Sequence, residues 1–351
     1  MRRMAKAKWF VAFTLAIGGL VWALVVPMQR SLLAHASRIP GTENSWNYLW
    51  KSPNELIFFP FQGAITASPG LTEINLCNLQ TGKHTPLPTL TKQFVPNLNK
   101  FPVEYSLSPD GKWILFAQQG QFTATTLDGT KQRHWATKGL ITGTPSIVWL
   151  PNSHQWVEWT FYNIATNPRW IQHVSKPILH NLDASQEKGI PLTIPSPKGT
   201  FLGKLNTGSA LSTDFGHWGN WDKQIALLTF DLKSSNVPVQ KRVIPIPRGN
   251  RVWDMQLSPK GDHLLWAMDH ESESPIARLR GVLHLRQRQQ SQSHRYMSLW
   301  VSSWDGSNLH ELGQYEDQAN ALEVPNWFHW TPDGKSISFS YQGSLWTVPA
   351  D

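Results

Sequence analysis

The sequence predicts an all-β fold made by repeating one four-stranded unit. Three observations predict it. A turn phrase recurs as SLSPDGKWILFA (Ser106 to Ala117), QLSPKGDHLLWA (Gln256 to Ala267) and HWTPDGKSISFS (His329 to Ser340). A second phrase, a strand closed by a glycine turn, ends at Thr81-Gly82, Asp128-Gly129 and Asp305-Gly306. Charged residues are only 16% of the chain, against 25 Pro and 24 Gly, a balance that suits short strands and tight turns rather than long solvated helices.

The turn phrase has a physical reading. Proline pre-sets φ at the first corner, Asp or Asn bonds back to the backbone, and Gly accepts the left-handed conformation that closes the turn. After the turn, Trp113, Leu115 and Ala117 alternate with Ile114, Phe116 and Gln118. A strand apolar on both sides belongs between stacked sheets. One unit is then strand, PDG-type turn, strand, link, strand, DG-type turn, strand.

Looser copies complete the series: LWKSPNELIFFP (Leu49 to Pro60), VWLPNSHQWVEW (Val148 to Trp159) and TIPSPKGTFLGK (Thr193 to Lys204). The turn prolines are Pro53, Pro109, Pro151, Pro197, Pro259 and Pro332. Where their spacing is tight it is about forty to fifty residues, the blade period of a β-propeller. The expected fold is therefore a propeller of about six four-stranded blades over residues 38–351. The fourth blade has an ambiguous register, although HWGNWDKQIALLTFDLKSSNVPVQKRVIPI supplies two strands there. LWTVPAD aligns with LWVSSWDG and stops where a fourth strand would begin. An open edge is a pairing hazard. The segment from about Arg38 to Tyr48 is the expected donor of the missing strand.

One hydrophobic helix is expected before the propeller. Residues 1–8 are basic, with Arg2, Arg3, Lys6 and Lys8, and residues 9–27 (WFVAFTLAIGGLVWALVVP) carry no charge. At ~1.5 Å per residue this run nearly spans a ~30 Å hydrocarbon core. The basic flank predicts a cytoplasmic N-terminus with the rest exported. Residues 28–37 read as a linker. The alternative is a secreted chain cleaved after Ala36, in the small-residue pattern Ala34-x-Ala36. The net charge of +8 is thus partly a property of the first eight residues. Cys77 is the single cysteine, which excludes an intrachain disulfide framework and a CxxC metal site.

The SPDGK-x-I-x-F phrase followed by an LDG strand resembles the TolB-like, or PD40-type, WD40-like propeller repeat of bacterial envelope proteins. The second and sixth copies carry it best, around Pro109-Asp110-Gly111 and Pro332-Asp333-Gly334, and the fifth fairly, at Pro259 and Gly261. Such repeats occur in the periplasmic Tol–Pal component, in propeller domains of prolyl-oligopeptidase-type peptidases and in anchored proteins. The resemblance implies a rigid scaffold that presents loops. The chain departs from TolB in having no α/β domain before the propeller, and from the peptidases in having no hydrolase domain after it.

The search for chemistry yields few candidates. The sequence has no G-x-S-x-G elbow, H-E-x-x-H pair, EF-hand or Walker loop. Of thirteen histidines, His134, His217 and His329 stand beside Trp, and packing or hydrogen bonding accounts for them. Asp269, Glu271 and Glu273 alternate in what reads as a loop after a strand, a solvated turn or a poor Ca²⁺ site. Arg278, Arg280, Arg286, Arg288 and Arg295 lie in an acid-free insertion, Ala277 to Arg295. They read either as the solvated residues of a long hairpin or as a cationic arm for phosphate-bearing lipid, cell-wall polymer or an acidic protein. Trp218 and Trp221, in STDFGHWGNWD, suit either sugar stacking or a blade core.

The expected function is a non-catalytic exported interaction platform at the cell envelope, with envelope protein partners and a membrane contact through residues 9–27. No cofactor, no metal and no nucleic acid are expected. The alternatives are a glycan or small-ligand binder using Trp218 and Trp221, and a glycosidase- or lyase-type propeller enzyme with carboxylates converging on the channel.

Overall fold

The computed structural model describes residues 31–43, 47–59, 73–98, 104–118, 121–136, 145–166, 169–174, 178–183, 190–191, 200–204, 210–214, 224–230, 240–272, 294–316 and 325–351. A short 3₁₀ turn, Leu32–Ala34, precedes strand β1, Ser37–Arg38. The first sheet follows as β2 (Asn47–Ser52), β3 (Glu55–Phe59), β4 (Asn75–Asn78) and β5 (Lys83–Pro86). Helix α1 (Pro88–Leu98) leads to the second, β6 (Glu104–Leu107), β7 (Trp113–Gln118), β8 (Gln121–Thr126) and β9 (Gln132–Ala136). The third holds β10 (Pro145–Trp149), β11 (Gln155–Thr166), β12 (Arg169–Val174), β13 (Ile178–Asn181) and β14 (Ile190–Pro191). The fourth is β15 (Thr200–Lys204), β16 (Ala210–Asp214), β17 (Gln224–Phe230) and β18 (Gln240–Pro245). The fifth is β19 (Asn250–Leu257), β20 (His263–Ser272), β21 (His294–Ser303) and β22 (His310–Glu316). The last comprises β23 (Asn326–Trp330), β24 (Ser336–Tyr341) and β25 (Ser344–Pro349).

All pairings between these strands are antiparallel, and apart from β1, which pairs with β25, they run in chain order within each sheet. First strands touch first strands around the ring: β2 with β6, β6 with β10, β10 with β15, and β15 with β19. Gln256 on β19 donates to the Phe328 carbonyl on β23 at 2.9 Å, and the Tyr48 ring on β2 meets His329 on β23 edge-on at 5.4 Å. The first strands therefore surround one axis, and the chain is a β-propeller.

The expectation of uniform four-stranded blades is corrected. Five sheets are four-stranded, and the third has a fifth strand, because β11 overruns its sheet and pairs with β12. Helix α1 is a second correction, since the propeller was expected to be all strand. It fills the cleft between the first two sheets: Leu90 and Phe94 are buried with Ile57, Phe59, Ile114 and Phe116, and Phe94 stacks on Phe116 at 3.5 Å. The TIPSPKG copy is a third. Pro197 precedes the innermost strand β15 instead of following it, so it does not occupy the first-hairpin turn. The expected hydrophobic helix over residues 9–27 lies outside the described residues. Among the described residues, no helix is long and apolar enough to cross a membrane.

Ring closure follows the expected plan with a shifted donor. β1 pairs with β25, Ser37 opposite Thr347 and Arg38 opposite Trp346. The Ile39 amide continues the ladder to the Leu345 carbonyl, and Thr42 Oγ1 accepts from the Leu345 amide at 3.0 Å. Tyr48 is not part of the donor, because it already begins the first sheet.

Burial grades outward along each unit. Second strands are buried on both faces, as in β3 and β24, whereas outer β5 is exposed throughout. The apolar side chains pool between neighbouring sheets. Leu115, Phe122 and Trp135 of the second meet Ile147, Trp149 and Trp156 of the third, and Leu265 and Leu299 of the fifth meet Ile337 and Phe339 of the last.

Candidate functional site

One face of the ring is built from the turns between first and second strands. In the second sheet Ser108 closes the turn on itself. Its amide bonds the Trp113 carbonyl, its carbonyl accepts the Gly111 amide, and its hydroxyl donates to Asp110 at 2.6 Å while accepting the Trp113 amide. Thr331 repeats this with Asp333 at 2.7 Å and the Ser336 amide. Ser258 does so with Asp262, which stands after the glycine rather than before it, at 2.7 Å. Gly111, Gly261 and Gly334 all sit at φ +69°, the left-handed region that costs a side-chain-bearing residue.

The third sheet departs from this pattern. Leu150 holds the serine position, and Ser153, at φ +58°, holds the glycine position. The Asn152 carboxamide takes over by accepting the His154 and Gln155 amides. Ser153 Oγ is then free to accept the Asp110 amide of the neighbouring turn at 3.0 Å. Other turns also meet. A Cβ on Gly111 would lie 3.0 Å from the Lys51 carbonyl oxygen, and one on Gly334 would lie 3.9 Å from Pro259 Cδ.

Beneath the turns a tryptophan ties each of three sheets to its predecessor. Trp149 Nε1 donates to the Ser106 carbonyl, and Trp330 Nε1 to the Gln256 carbonyl, both at 3.3 Å. Trp50 Nε1 donates to Ser338 Oγ at 2.7 Å, which also accepts Tyr48 Oη and donates to the His329 carbonyl. A buried Trp N–H requires such a partner.

The carboxylates of this face are held ionised. Burial pushes Asp110 and Asp262 upward, but hydrogen bonds from Ser108 and Ser258 and the charges of Lys112 and His263 outweigh it, leaving both below the usual range. The Thr331 hydroxyl first, then the Lys335 amide and nearby lysine charges, depress Asp333 against its burial. Asp128, at a DG turn, is brought down to about 2 by the Thr126 hydroxyl and the Thr130 amide and hydroxyl. Asp305 is depressed by Ser307 and by Arg242 of the preceding sheet, with which it pairs. Lys112, Lys260 and Lys335 stand exposed beside these acids. Burial lowers the partly buried His329 to about 4, so the ring is neutral at neutral pH.

The other expected sites fall elsewhere. Asp269 is not in a loop: β20 continues to Ser272, and Asp269 is buried and held by Arg251 Nε and Nη2 at 3.1 and 3.0 Å. A strand residue in a bidentate pair has its ligand oxygens already engaged, so the calcium reading is dropped. Glu273, Arg278, Arg280, Arg286 and Arg288 lie outside the described residues, as do Trp218, Trp221 and His217. Arg295 falls on β21, opposite Glu271. His134 Nδ1 lies 3.0 Å from Thr123 Oγ1, as hydrogen bonding predicts. Cys77 is buried and free, and burial raises its pKa. Among the described residues no His, Cys, Asp and Glu cluster could hold a metal ion. The described first strands carry two carboxylates, Glu104 and Asp254.

Sequence reasoning missed the hydroxyl clasp and the tryptophan tie. Both have a signal: Ser or Thr immediately before the turn proline, and Trp two residues before it at Trp149 and Trp330.

No family model matches this chain, and no curated protein matches it. Solved structures similar to it include an oligogalacturonate lyase in complex with manganese, at 13% identity over 90% of this chain and 92% of that one, with a TM-score of 0.48. A hydrazine synthase of Kuenenia stuttgartiensis is similar at 11% identity over 86% and 75%, TM-score 0.45. A protein assigned as TolB from Agrobacterium tumefaciens is similar at 15% identity over 80% and 78%, TM-score 0.41. These similar propellers differ in function from one another, and the fold is established by the chain's own sheets.

Proposed function

We propose that the chain is an exported, membrane-tethered, non-catalytic propeller that binds an envelope protein through the ring of first-hairpin turns. The observation that carries this reading is the cross-bracing of that ring. The turns of the second, third, fifth and last sheets are each closed by their own hydrogen bonds, and neighbouring turns approach one another at Gly111 with Lys51, at Asp110 with Ser153 and at Gly334 with Pro259. A surface fixed in advance loses little side-chain and loop freedom on binding. The polar groups it offers, Lys112, Lys260, Lys335 and the ionised Asp110 and Asp333, are arranged for a charged protein surface.

The tether reading is supported by Leu32. It is fully buried among Leu265, Leu299, Leu312 and Phe339. Cleavage after Ala36 would remove it and leave a cavity, at about 2–5 kcal/mol by analogy with Leu→Ala. Retention of the N-terminus avoids that loss.

The test is crosslinking in native membranes with photoreactive residues at Asn54, Lys112 and Lys260, followed by purification of the full-length protein and mass spectrometry. A reproducible partner at these positions, absent when the probe sits at Val243 on outer strand β18, supports the reading. Equal capture at all positions, or none, rejects it. Intact mass of the same preparation reports whether residues 1–36 remain.

A further inference from the structure

The boundary between the last and first sheets is built differently from the second/third and fifth/last boundaries. Those two are apolar on both sides. At the closing boundary the first sheet again offers an apolar side, with Tyr48, Leu56, Phe58 and Cys77 buried. The last sheet answers with serine. β24 reads SISFSY, and its Ile337 and Phe339 pack with Leu265 and Leu299 of the fifth sheet. Ser338, on the other side of that strand, accepts hydrogen bonds from Tyr48 Oη and Trp50 Nε1. Alternation along the strand puts Ser336 and Ser340 on this side too. Among the described residues, the last sheet contributes one buried apolar side chain to this boundary, Leu345. Hydrogen bonds formed there replace bonds to water and contribute little net, whereas apolar burial adds with area.

What the last sheet lacks is supplied by residues 31–43, which cross three sheets as one strap. At one end Ser31 bridges Gln314, and Leu32 is buried between the fifth and last sheets. A Cβ on Gly313 would come within 2.6 Å of the Leu32 Cα. In the middle β1 pairs with β25. The other end covers the closing boundary. Ile39 packs on the cluster that holds Tyr48, Phe58 and Cys77. Leu345 is bonded to the strap through both its backbone groups: its carbonyl accepts the Ile39 amide, and its amide donates to Thr42 Oγ1. Thr42 is fully buried, and its hydroxyl donates to the Ile39 carbonyl at 2.7 Å. The Gly41 carbonyl lies 3.2 Å from His84 Nε2 on β5 of the first sheet.

We propose that the last/first boundary is a seam that opens ahead of the rest of the ring, that the strap holds it shut, and that Cys77 is the group its opening uncovers. Lifting Ile39 and Thr42 removes both backbone partners of Leu345 at once and leaves the bonds of Ser338 to hold the two sheets together. Openings of this local kind cost less than global unfolding and expose little surface. The Leu32 end lies on a different, apolar boundary, so the seam can part while the strap stays attached to the ring. The device ties ring closure to one short segment. An event that displaces residues 39–42 opens one boundary and leaves the apolar ones assembled.

The experiment uses the full chain and its single cysteine. Alkylation of Cys77 by a maleimide is followed by mass spectrometry, from buffer alone up to the start of the urea unfolding transition. The control is the Cys77→Ala, Ala124→Cys protein, because Ala124 is also fully buried but lies at the apolar second/third boundary. Each rate is divided by that of the same thiol in the unfolded chain. Cys77 should react at least roughly tenfold faster than the control thiol and almost independently of urea, whereas the control should follow urea with the slope of global unfolding. Ile39→Ala should speed the Cys77 reaction at least roughly tenfold, from the packing it removes. Trp149→Ala, at the second/third boundary, should speed the control and leave Cys77 unchanged at low urea. Thr42→Val keeps the side chain's shape and removes its hydrogen bonds, so it gives the same reading should Ile39→Ala fail to fold. Circular dichroism confirms that each variant is folded. Equal rates and urea slopes for the two thiols, a Cys77 rate insensitive to the strap changes, or a Cys77 rate raised by Trp149→Ala as much as the control overturns the proposal.

Discussion

The second and third sheets are neighbours built on one plan, yet they solve their first turn differently. In the second, Ser108, Asp110 and Gly111 make the turn self-contained. In the third, Leu150 and Ser153 replace the serine and the glycine, and the Asn152 side chain and Ser153's left-handed backbone do their work. Ser153 also reaches across to the Asp110 amide. The backbone path is what repeats. The side chains that enforce it are exchangeable, and a weaker local solution is compensated by a bond to the stronger one next door.

The largest test of that pairing is Trp149→Ala. Trp149 is nearly buried and bonds the Ser106 carbonyl across the boundary between the two sheets. The loss should be about 3–5 kcal/mol in denaturant unfolding. Trp330→Ala at the corresponding boundary should cost a similar amount.

Acid should separate a boundary from a turn. His329 titrates at about 4 when folded and near 6.5 when unfolded, so the unfolded chain binds more protons between those values. Its stabilisation is complete above ~6.5 and is lost as the pH falls toward 4, by up to roughly 3 kcal/mol. Asp128 behaves similarly in a lower window: its depressed value of about 2 gives stability that is present above ~3.9 and disappears as the pH falls through 2. Urea melts between pH 7 and pH 4 should therefore lose their first increment through His329, and His329→Gln should flatten that slope.

Smaller effects address the turn itself. Gly111→Ser, which copies the third sheet's residue into the second, should cost about 2 kcal/mol, because φ is +69° and the new Cβ would lie 3.0 Å from the Lys51 carbonyl. Ser108→Ala should cost about 1 kcal/mol through the lost clasp. The reverse exchange, Ser153→Gly, relieves strain but removes the bond to Asp110, so it should fall within about 0.5 kcal/mol of zero. A Ser153→Gly protein destabilised as much as Gly111→Ser would show that the cross-bond, not the backbone path, governs these turns.

Much of this was readable in the sequence, for identifiable reasons. Turn chemistry is local, so Pro109-Asp110-Gly111 announced its own conformation, and the strand-like runs that follow the turns announced β7 and β24. Helix α1 was not announced. Its sequence, PTLTKQFVPNL, carries three β-branched residues, Thr89, Thr91 and Val95, and an internal proline, Pro96, and its stability comes from Leu90 and Phe94 entering a cleft that exists only once two sheets are assembled. The misplaced Pro197 shows the opposite hazard, a turn phrase that occurs outside its usual slot. Asp269 was misread because a carboxylate in an alternating pattern gives no hint of a strand partner, Arg251, eighteen residues upstream. The turn residues of the candidate site were found, while the tryptophan ties were not, since a tie is visible only between sheets.

Ser37 and Thr347, which meet in the closing ladder, are 310 residues apart in the chain. At a synthesis rate of roughly 5–20 residues per second, the first of these is made about 15–60 s before the second. Throughout that interval every sheet but the last can find its own partners locally, while the first-made strand has nothing to pair with. The latch is thus a completion check written into chain order: a truncated product leaves β1 unpaired, and only a chain synthesised through β25 can shut its ring.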